Sequence, residues 1–501
     1  MATLTTTRLS EPETVSQARE DQRGETAPRA ELRSVNPYNG ETTKTYTEMT
    51  NDEVDAAIAT AHDRFATWRR LPFAQRATLL RRAAKLCRER LEDLARFMAI
   101  EMGKRIAEGH HEVELCARIF DYYADHGEQL LQPETIQSPA GDATLLSEPL
   151  GVVFGIQPWN YPFYQVIRFA APNLMAGNVV LLKHASSVQQ CAEAAEKLFQ
   201  DAGFPSGAYT NLVASSGLAT RVIDDDRVRG VSFTGSDAGG ARVAERAGRN
   251  VKKTVLELGG SDPFVVLEDA DLDSAVDWAV WGRMNNMGQS CVASKRFIVL
   301  KAISEQFIER FREKLAVLKM GDPLDELTDV APICSAKAAK NLEDQINRSV
   351  AAGAQIVIGG KRPDPEGAFI EPTILTNVKK GMPAYDEELF GPVASVIVVP
   401  DEATAIEVAN DTKYGLGGSV YTCDVERGWR VAKQIDSGMV FINYPVYTFE
   451  DIPFGGTKKS GYGRETGALG IQEFLNKKVV RVRPDSVEVG HVDGKQDSPC
   501  E

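Results

Sequence analysis

The segment NNMGQSCVAS, residues 285–294, places Cys291 in a setting that the ordinary structural roles of cysteine do not explain. A structural thiol usually lies in an apolar run, and a zinc-binding thiol usually has a second cysteine or a histidine a few residues away. Cys291 has neither kind of neighbour. A chemically reactive thiol, which attacks as the thiolate, is therefore the explanation to be tested.

Four short apolar runs end in polar residues that are candidates for one shared site. Asn160 follows IQPW, Lys183 follows VVLL, Gly235 and Ser236 follow VSFT, and Glu257 follows KTVL. Ligands bind at the carboxyl ends of strands in open parallel sheets. Taken singly, Asn160 also fits a turn, and FTGS fits either a helix-capping serine or a phosphate-binding helix N-terminus. The G-x-G-x-x-G signature of dinucleotide-binding folds is absent from the sequence.

The elements that must hold these residues fall into two α/β series. Residues 52–126 are predicted to be helical, with one continuous helix running from RATLL to a cap at Gly103. Short β-rich runs then alternate with helices, and a second alternation after Gly260 includes a helix through DLDSAVDWAVWGRMNNMGQS. This alternation predicts parallel, doubly wound sheets. The isolated run NKKVVRVRP predicts an edge strand that pairs elsewhere, for example with a neighbouring subunit.

The composition limits the class of protein. Hydrophobic residues make up 43% and charged residues 26% of the 501, and the net charge is −14. An acidic chain is expected to avoid nucleic acid and anionic membranes, and no run reaches the ~18 apolar residues of a membrane span. The seven cysteines are widely spaced and form no C-x-x-C pair, which predicts a reducing, cytoplasmic location without disulfides or a metal site.

Both ends of the chain differ in composition from the rest. Residues 1–33 contain few apolar side chains and too many acidic ones for a transit peptide, so they are predicted to be a disordered N-terminal extension. Residues 487–501 are predicted to be a flexible tail, in which Cys500 is an exposed, non-catalytic thiol.

Seven motifs occur in the order and approximate spacing of the aldehyde dehydrogenase superfamily. They are QPWNYP, LLKHASS, FTGS, LELGGSDPF, GQSCVASKR, EELFGPV and IPFGGTKKSGYGRE. The chain resembles that superfamily from Asn36 to about Arg483. The resemblance implies an aldehyde dehydrogenase-like α/β fold with two doubly wound α/β domains and a small β oligomerisation arm. The expected boundaries are 34–126 and 147–257 for a Rossmann-like cofactor-binding domain, 258–455 for a catalytic domain, and 127–146 with 472–486 for the arm.

The same resemblance implies the catalytic roles. Cys291 is expected to attack the aldehyde and form a tetrahedral adduct, which becomes a thioester once hydride has left. The side-chain amide of Asn160 and the backbone N–H of Cys291 are expected to stabilise the oxyanion. Glu257 is expected to be the general base that activates water or the thiol. Its presence favours release of a free acid over acyl transfer to coenzyme A.

A nicotinamide dinucleotide is the cofactor that the resemblance implies. Lys183 matches the lysine that contacts the adenosine ribose, and the residues expected around the nicotinamide ribose and pyrophosphate are Trp159, Gly235, Ser236, Glu388 and Phe390. NAD-preferring members often carry glutamate three residues after that lysine, where this chain has Ser186. A 2′-phosphate is strongly anionic, so the missing carboxylate relieves a repulsion and Ser186 can donate a hydrogen bond. NADP is therefore the predicted cofactor, with NAD also accepted.

The aldehyde is inferred from similarity to one subgroup of the superfamily. The stretch PWNYPFYQVIRFAAPNLMAGNVVLLKHAS is similar to that of bacterial succinate-semialdehyde dehydrogenases. Arg168 occupies the position of an arginine that faces the substrate entrance in semialdehyde dehydrogenases, where a guanidinium can hold the distal carboxylate. A solvated or interdomain role for Arg168 is the alternative. Asn285 stands where some members carry a second arginine, and Tyr164 is expected to line the tunnel.

The predicted activity is NAD(P)-dependent oxidation of an aldehyde to a carboxylic acid, with succinate semialdehyde as the favoured substrate. Another small or carboxylated aldehyde, such as glutarate semialdehyde, is an alternative. A catalytically silent structural or binding protein on the same fold is the alternative of another class, although it would be expected to lose Cys291 or Glu257. The expected assembly is a homodimer or homotetramer in the cytoplasm.

Replacement of Ser186 by glutamate is expected to shift the cofactor preference toward NAD. The new carboxylate repels a 2′-phosphate and can accept a hydrogen bond from a 2′-hydroxyl. The ratio of kcat/KM for NADP to that for NAD should fall at least about tenfold, equivalent to ~1.4 kcal/mol. Ser186→Gln, equal in size but neutral, is the control. An unchanged ratio in Ser186→Glu would contradict the repulsion argument.

Overall fold

The computed structural model describes residues 29–139 and 141–482. The strands are β1 (Glu31–Val35), β2 (Thr42–Thr47), β3 (Glu134–Ile136), β4 (Ala143–Pro149), β5 (Val152–Gln157), β6 (Val179–His184), β7 (Tyr209–Asn211), β8 (Val228–Thr234), β9 (Lys253–Glu257), β10 (Asp262–Val266), β11 (Ser294–Leu300), β12 (Gln355–Ile358), β13 (Thr373–Thr376), β14 (Val393–Val399), β15 (Ser419–Tyr421), β16 (Phe441–Ile442), β17 (Gly461–Tyr462) and β18 (Leu475–Arg481).

The α-helices are α1 (Asn51–Trp68), α2 (Phe73–Glu89), α3 (Leu91–Met102), α4 (Ile106–Leu130), α5 (Tyr164–Ala176), α6 (Gln189–Asp201), α7 (Ser216–Asp224), α8 (Asp237–Arg249), α9 (Leu272–Met284), α10 (Ser304–Ala316), α11 (Ala336–Ala351), α12 (Pro383–Asp386), α13 (Glu402–Asn410), α14 (Val425–Ala432) and α15 (Gly467–Gly470). Single 3₁₀ turns lie at Asn285–Gly288 and Lys458–Ser460.

Two large sheets carry most of the strands. The first has the order β17-β9-β8-β5-β6-β7, and the second has the order β12-β13-β14-β11-β10-β15-β16. Strands β5 to β9 pair in parallel, as do β10, β11 and β13 to β16, whereas β17 and β12 are antiparallel edge strands. The strand order with its parallel crossovers confirms the predicted doubly wound α/β class.

Each large sheet has its own hydrophobic core. Phe154 and Leu182 lie in the first core, where β5 and β6 contact α1 and α5, and Phe264 and Phe297 lie in the second. The runs VVLL in β6 and FIVL in β11 are buried throughout, because helices cover both faces of a parallel sheet. The polar residues that follow such strands are therefore held on a rigid edge.

The small sheets lie outside these two layers. Strands β1 and β2 form an antiparallel pair, and β18, β4 and β3 form an antiparallel three-stranded sheet. Strand β18 in this three-stranded sheet covers residues 476–481 of the NKKVVRVRP run, and these residues pair with β4 of the same chain. Strand β4 continues to Pro149 and α4 to Leu130, so both extend past the limits of the predicted arm.

Several element predictions were wrong in detail. The helix predicted to continue to Gly103 is divided into α2 and α3 at Arg90, where φ is −112°. Gly103 does cap α3, in the left-handed conformation. Residues 31–33, predicted to be disordered, belong to β1, and the helix predicted to run on to Ser290 ends at Met284.

The predicted domain boundary after residue 257 falls between β9 and β10, which belong to different large sheets. The boundaries themselves stay a prediction, as do the states of residues 1–28 and 487–501 and of Cys500, which lie outside the described residues. Among the helices of the described chain, none is both long and apolar enough to cross a membrane.

Candidate active site

Cys291 lies where two cavities meet. The smaller cavity, of about 220 Å³, contains most of the predicted catalytic and cofactor residues, namely Trp159, Asn160, Gly235, Ser236, Glu257, Glu388 and Phe390 together with the thiol. The larger cavity, of about 380 Å³, is lined by Tyr164, Arg168 and Cys291 among others. Cys291 as a residue is partly exposed. Residues as far apart in sequence as Trp159 and Phe390 are thus brought into the cavity that contains its sulfur atom.

A left-handed turn places Cys291 at this junction. After α9 ends, Asn286 and Met287 both have φ of 53° and Gly288 has φ of 69°. A Cβ on Gly288 would lie 2.3 Å from the carbonyl oxygen of Gly391, so this position requires glycine. The Asn286 amide then donates to the carbonyls of Asn160 (2.9 Å) and Gln289 (3.0 Å). The turn therefore holds the Cys291 segment against the loop that carries Asn160.

The side chain of Asn160 is held in one orientation. Its Nδ2 donates to the carbonyl of Gln289 at 3.0 Å, and its Oδ1 accepts from Nε2 of Gln165 at 3.0 Å. The amide nitrogen therefore points toward the Cys291 segment and has a second N–H that can donate. A donor fixed in advance is what stabilisation of an oxyanion requires, because no reorganisation is needed when charge develops.

Glu257 ends β9 as a buried carboxylate with free oxygen atoms. Its side chain is only 2% exposed, and neither of its carboxylate oxygens accepts a hydrogen bond from the residues that the structure describes. Burial raises its pKa well above the ordinary value, an effect that Arg168 opposes and Glu465 reinforces. Such a group is a stronger base than an exposed glutamate and has lone pairs available to a water molecule or a thiol.

Burial also keeps the thiol of Cys291 protonated. It raises the pKa of Cys291 to about 12, although the nearby charges of Arg168 and Lys295 act in the opposite direction. Glu257 adds to the increase by repelling a thiolate. At neutral pH the thiol is therefore neutral in this arrangement, and its attack on a carbonyl requires a base that accepts its proton.

Arg168 occupies a different environment from the one predicted for it. Its side chain is 1% exposed and forms an ion pair with Glu465, so it lies deep in the cavity and not at a solvated entrance. Nη1 donates to the Tyr164 hydroxyl and Nη2 to Oγ1 of Thr234, each at 3.1 Å. The solvated alternative is excluded by this burial. The guanidinium still lines the larger cavity, together with Tyr164.

The residues predicted to contact the nicotinamide half lie along the smaller cavity. The rings of Trp159 and Phe390 are 5.8 Å apart in an edge-to-face arrangement, and Oε1 of Glu388 accepts the backbone N–H of Gly260 at 3.0 Å. Ser236 caps α8, its Oγ accepting the N–H of Gly239 at 3.1 Å. The sequence left two interpretations of FTGS, a helix-capping serine or a phosphate-binding helix N-terminus. The two are compatible, because Ser236 caps the same helix N-terminus.

Lys183 and Ser186 lie at the end of β6, outside the cavity that contains Cys291. Lys183 Nζ donates to the carbonyl of His184 at 3.1 Å, and burial lowers the pKa of Lys183. Ser186 is exposed. The His184 ring is buried and lies 2.8 Å from the carbonyl of Pro162, and burial lowers the pKa of His184 to about 4. His184 is therefore a neutral residue that ties β6 to the Asn160 loop.

Two buried charges that the sequence did not reveal anchor the start of α5. Oε1 of Glu112 accepts the backbone N–H groups of Phe163 (2.9 Å) and Tyr164 (3.0 Å). Its other oxygen forms an ion pair with Lys104, whose Nζ lies 3.8 Å from the Tyr161 ring centroid. A glutamate on an otherwise apolar face of α4 was the one available signal. Without a partner nearby in sequence, it did not indicate what the side chain contacts.

The chain belongs to the aldehyde dehydrogenase family, whose sequence model matches residues 25–480. Its curated relatives and the solved structures similar to it define the same class of protein. Succinate-semialdehyde dehydrogenase [NADP(+)] of Deinococcus radiodurans is 48% identical over 467 residues, covering 93% of this chain and 98% of that protein. A probable succinate-semialdehyde dehydrogenase [NADP(+)] of Synechocystis is 44% identical, covering 90% and 99%. The crystal structure of succinic semialdehyde dehydrogenase from Streptococcus pyogenes in complex with NADP+ is similar at a TM-score of 0.89 and 40% identity, covering 90% of this chain and 100% of that one.

Replacement of Glu112 by alanine is expected to lower the free energy of unfolding by about 3–5 kcal/mol, because Lys104 would be left as an uncompensated buried charge. Urea titration followed by circular dichroism measures the loss. The matched control is Glu114→Ala on the same helix, where the ion pair with Arg88 is about 40% exposed on both sides. Its loss should cost about 1 kcal/mol or less. Equal losses in the two variants would show that the Glu112 anchor contributes nothing beyond a surface pair.

Proposed function

We propose that the protein oxidises succinate semialdehyde to succinate with NADP as the hydride acceptor. The observation that carries the proposal is the junction at Cys291, where a cavity with a free carboxylate, Glu257, meets a cavity with a guanidinium, Arg168. The relatives at 48% and 44% identity that are named succinate-semialdehyde dehydrogenase [NADP(+)] support the same substrate and cofactor.

The residues present fit a nicotinamide dinucleotide with a 2′-phosphate. Trp159, Glu388 and Phe390 would border the nicotinamide ribose, and the capped N-terminus of α8 would face the pyrophosphate, where N–H groups attract anions. Ser186 is exposed beside Lys183 and adds no carboxylate that would repel a phosphate. When bound, the dinucleotide supplies the hydride-accepting carbon.

Proton movement in the first half of the reaction falls to Cys291 and Glu257. The Cys291 sulfur forms a bond to the aldehyde carbon, and the thiol proton passes to Glu257 directly or through water. The carbonyl oxygen becomes an oxyanion that accepts hydrogen bonds from Nδ2 of Asn160 and the backbone N–H of Cys291. Loss of hydride from the same carbon leaves a thioester on the sulfur.

Hydrolysis of that thioester completes the cycle. Glu257 first releases the thiol proton to solvent and, as a carboxylate again, takes a proton from a water molecule whose oxygen attacks the thioester carbon. The carbon–sulfur bond then breaks, succinate leaves, and Glu257 returns its proton to the departing thiolate. One carboxylate serves both halves, since its raised pKa allows it to hold a proton transiently at neutral pH.

Replacement of Glu257 by glutamine is expected to slow turnover by about 10²–10⁴-fold and to trap the thioester. Intact-protein mass spectrometry after mixing with aldehyde and NADP should detect the acyl group on Glu257→Gln, with Cys291→Ala/Glu257→Gln as the unacylated control.

In the wild type, kcat/KM should fall as the pH drops through the raised pKa of Glu257, above the ordinary ~4.3, because the base becomes protonated. Glu257→Gln should lose this acidic limb. A variant at wild-type speed, or with no acyl adduct, would contradict the assignment.

Arg168 is proposed as the anchor for the distal carboxylate of the substrate. Its ion pair with Glu465 and its hydrogen bonds to Tyr164 and Thr234 leave two N–H groups of the guanidinium unassigned. A carboxylate that enters the larger cavity would bind this fixed fork without ordering it first. The bound charge would then share Arg168 with Glu465.

Removal of Arg168 alone would leave Glu465 unpaired beside Glu257, so the test uses Arg168→Met/Glu465→Gln with Glu465→Gln as the control. Relative to that control, kcat/KM for succinate semialdehyde should fall about 10- to 100-fold more than for butanal, because a charge-assisted hydrogen bond contributes about 1.5–3 kcal/mol. Steady-state kinetics with both aldehydes measure the difference. Equal losses on the two aldehydes would remove the anchoring role.

We also propose that the chain forms a homodimer or homotetramer in the cytoplasm through the sheet of β3, β4 and β18. In β18, Val479 is 60% exposed and Val480 is 43% exposed, and Val482 directly after the strand is 80% exposed, so apolar side chains lie together on an exposed strand. Burial of this sheet against a second copy would remove the exposed edge strand. Sedimentation velocity tests the assembly, and a monomer at micromolar concentration would contradict it. The predicted cofactor-binding, catalytic and arm domains are proposed with the boundaries given above.

A further inference from the structure

Lys295 is a buried lysine four residues beyond the nucleophile, near the start of β11. Its side chain is 1% exposed. Nζ donates to the carbonyl of Ser290 at 2.9 Å and to that of Cys291 at 2.8 Å, and it lies 3.3 Å from Oε1 of Glu388. A third carbonyl, that of Ala293, is more distant at 3.5 Å. The ammonium is thus held by hydrogen bonds to carbonyls of the nucleophile segment and by an ion pair with Glu388.

The two carbonyls belong to the two peptide groups that flank Cys291. The Ser290 carbonyl shares a planar, trans peptide with the backbone N–H of Cys291, so the two bonds point in opposite directions. When Lys295 fixes the Ser290 oxygen, it also fixes the direction of the Cys291 N–H. That N–H is the backbone donor assigned to the oxyanion. The second contact fixes the Cys291–Val292 peptide in the same way.

A buried ammonium requires compensation, and here it comes from groups around the site. Burial lowers the pKa of Lys295, while Glu388 and Asp262 favour its charged form and Arg283 opposes it. Glu388 is itself held in place, because its Oε1 also accepts a hydrogen bond from the backbone N–H of Gly260 at 3.0 Å. A well-packed apolar side chain would avoid this desolvation cost, so core packing alone does not explain a lysine at this position.

We propose that Lys295 is a positioning residue that fixes both peptide groups around Cys291 and connects them to Glu388. The backbone donor for the oxyanion and the carboxylate for the nicotinamide ribose would thereby be held by a single ammonium. The inference rests on the proposed function, since the roles of Glu388 and of the oxyanion belong to it. Lys295 itself touches neither substrate nor cofactor.

The test compares Lys295→Met, which keeps the chain length and removes the charge, with Lys433→Met, which alters an exposed lysine. Cys291 faces the charges of Arg168, Lys295, Glu257 and Glu388, so loss of one cation disfavours the thiolate. Alkylation of Cys291 by iodoacetamide at a fixed pH of about 8, without cofactor or aldehyde, should slow about tenfold for each unit of increase in the pKa. Peptide mass spectrometry identifies Cys291 as the site.

The same variant should lose kcat with little change in the KM for aldehyde, because the misdirected N–H acts on the oxyanion and not on the bound ground state. A loss of about 10- to 100-fold is expected, less than the 10²–10³ for complete removal of an oxyanion donor. The Kd for NADPH, from its fluorescence, should also increase several-fold. Lys295→Met with wild-type alkylation and wild-type kcat would overturn the inference, whatever its stability.

If Lys295→Met does not fold, Lys295→Met/Glu388→Gln removes both members of the pair and leaves no unpaired carboxylate at 388. It is compared with Glu388→Gln, in which Lys295 keeps its two carbonyl contacts. Slower alkylation in the double variant than in Glu388→Gln supports the inference, and equal rates overturn it. The Kd for NADPH should be equal in the double variant and in Glu388→Gln, because the connection between Lys295 and position 388 is already cut in both.

Failure of the proposed function would give a different result. The wild type would then show no aldehyde-dependent reduction of NADP, and its alkylation rate would still report on Lys295. Failure of the Lys295 inference would instead leave an active wild type beside an equally active and equally alkylated Lys295→Met.

Discussion

Charge balance among buried groups is the constraint on which this site depends. Arg168 lies between Glu465 and Glu257, and Lys295 lies between Glu388 and the backbone of Cys291. In a low dielectric each of these charges acts strongly on its neighbours, so none can be removed without changing the protonation of the others. Burial raises the pKa of both the Cys291 thiol and the Glu257 carboxyl, so each gives up its proton less readily than it would in water. Proton transfer between the two groups therefore depends on the same set of buried charges.

The surrounding fold fixes the atoms that this balance acts on. Glu112 anchors the first turn of α5, the Asn286 amide ties two loops together, and Gln165 orients the Asn160 amide. The Asn286 contact joins the Asn160 loop to the Cys291 segment that precedes β11. Each of these contacts is a buried hydrogen bond, and such a bond favours one geometry over alternatives. The stability of the site and its preorganisation therefore have the same physical origin.

The sequence predicted the parts of this protein that have a local signal. Apolar runs such as VVLLKH predicted buried parallel strands. The motifs around Cys291, Glu257 and Asn160 predicted the candidate nucleophile, base and amide, and the structure brings these three residues into one cavity. Partners distant in sequence could not be predicted, because nothing near Arg168 indicates that Glu465, almost three hundred residues later, neutralises it. The break between α2 and α3 was missed for a related reason. Arg90 is an ordinary helix former, so helix propensity gives no sign of the break there.

The meeting of the two cavities at one sulfur atom has a consequence for the order in which the two products dissociate. Under the proposed function, the acid would depart along the side lined by Tyr164 and Arg168, while the spent dinucleotide would depart along the side lined by Trp159 and Phe390. Neither exit runs through the space of the other occupant. The order of departure is then not dictated by obstruction, and whichever molecule dissociates more slowly becomes the bottleneck of the whole cycle.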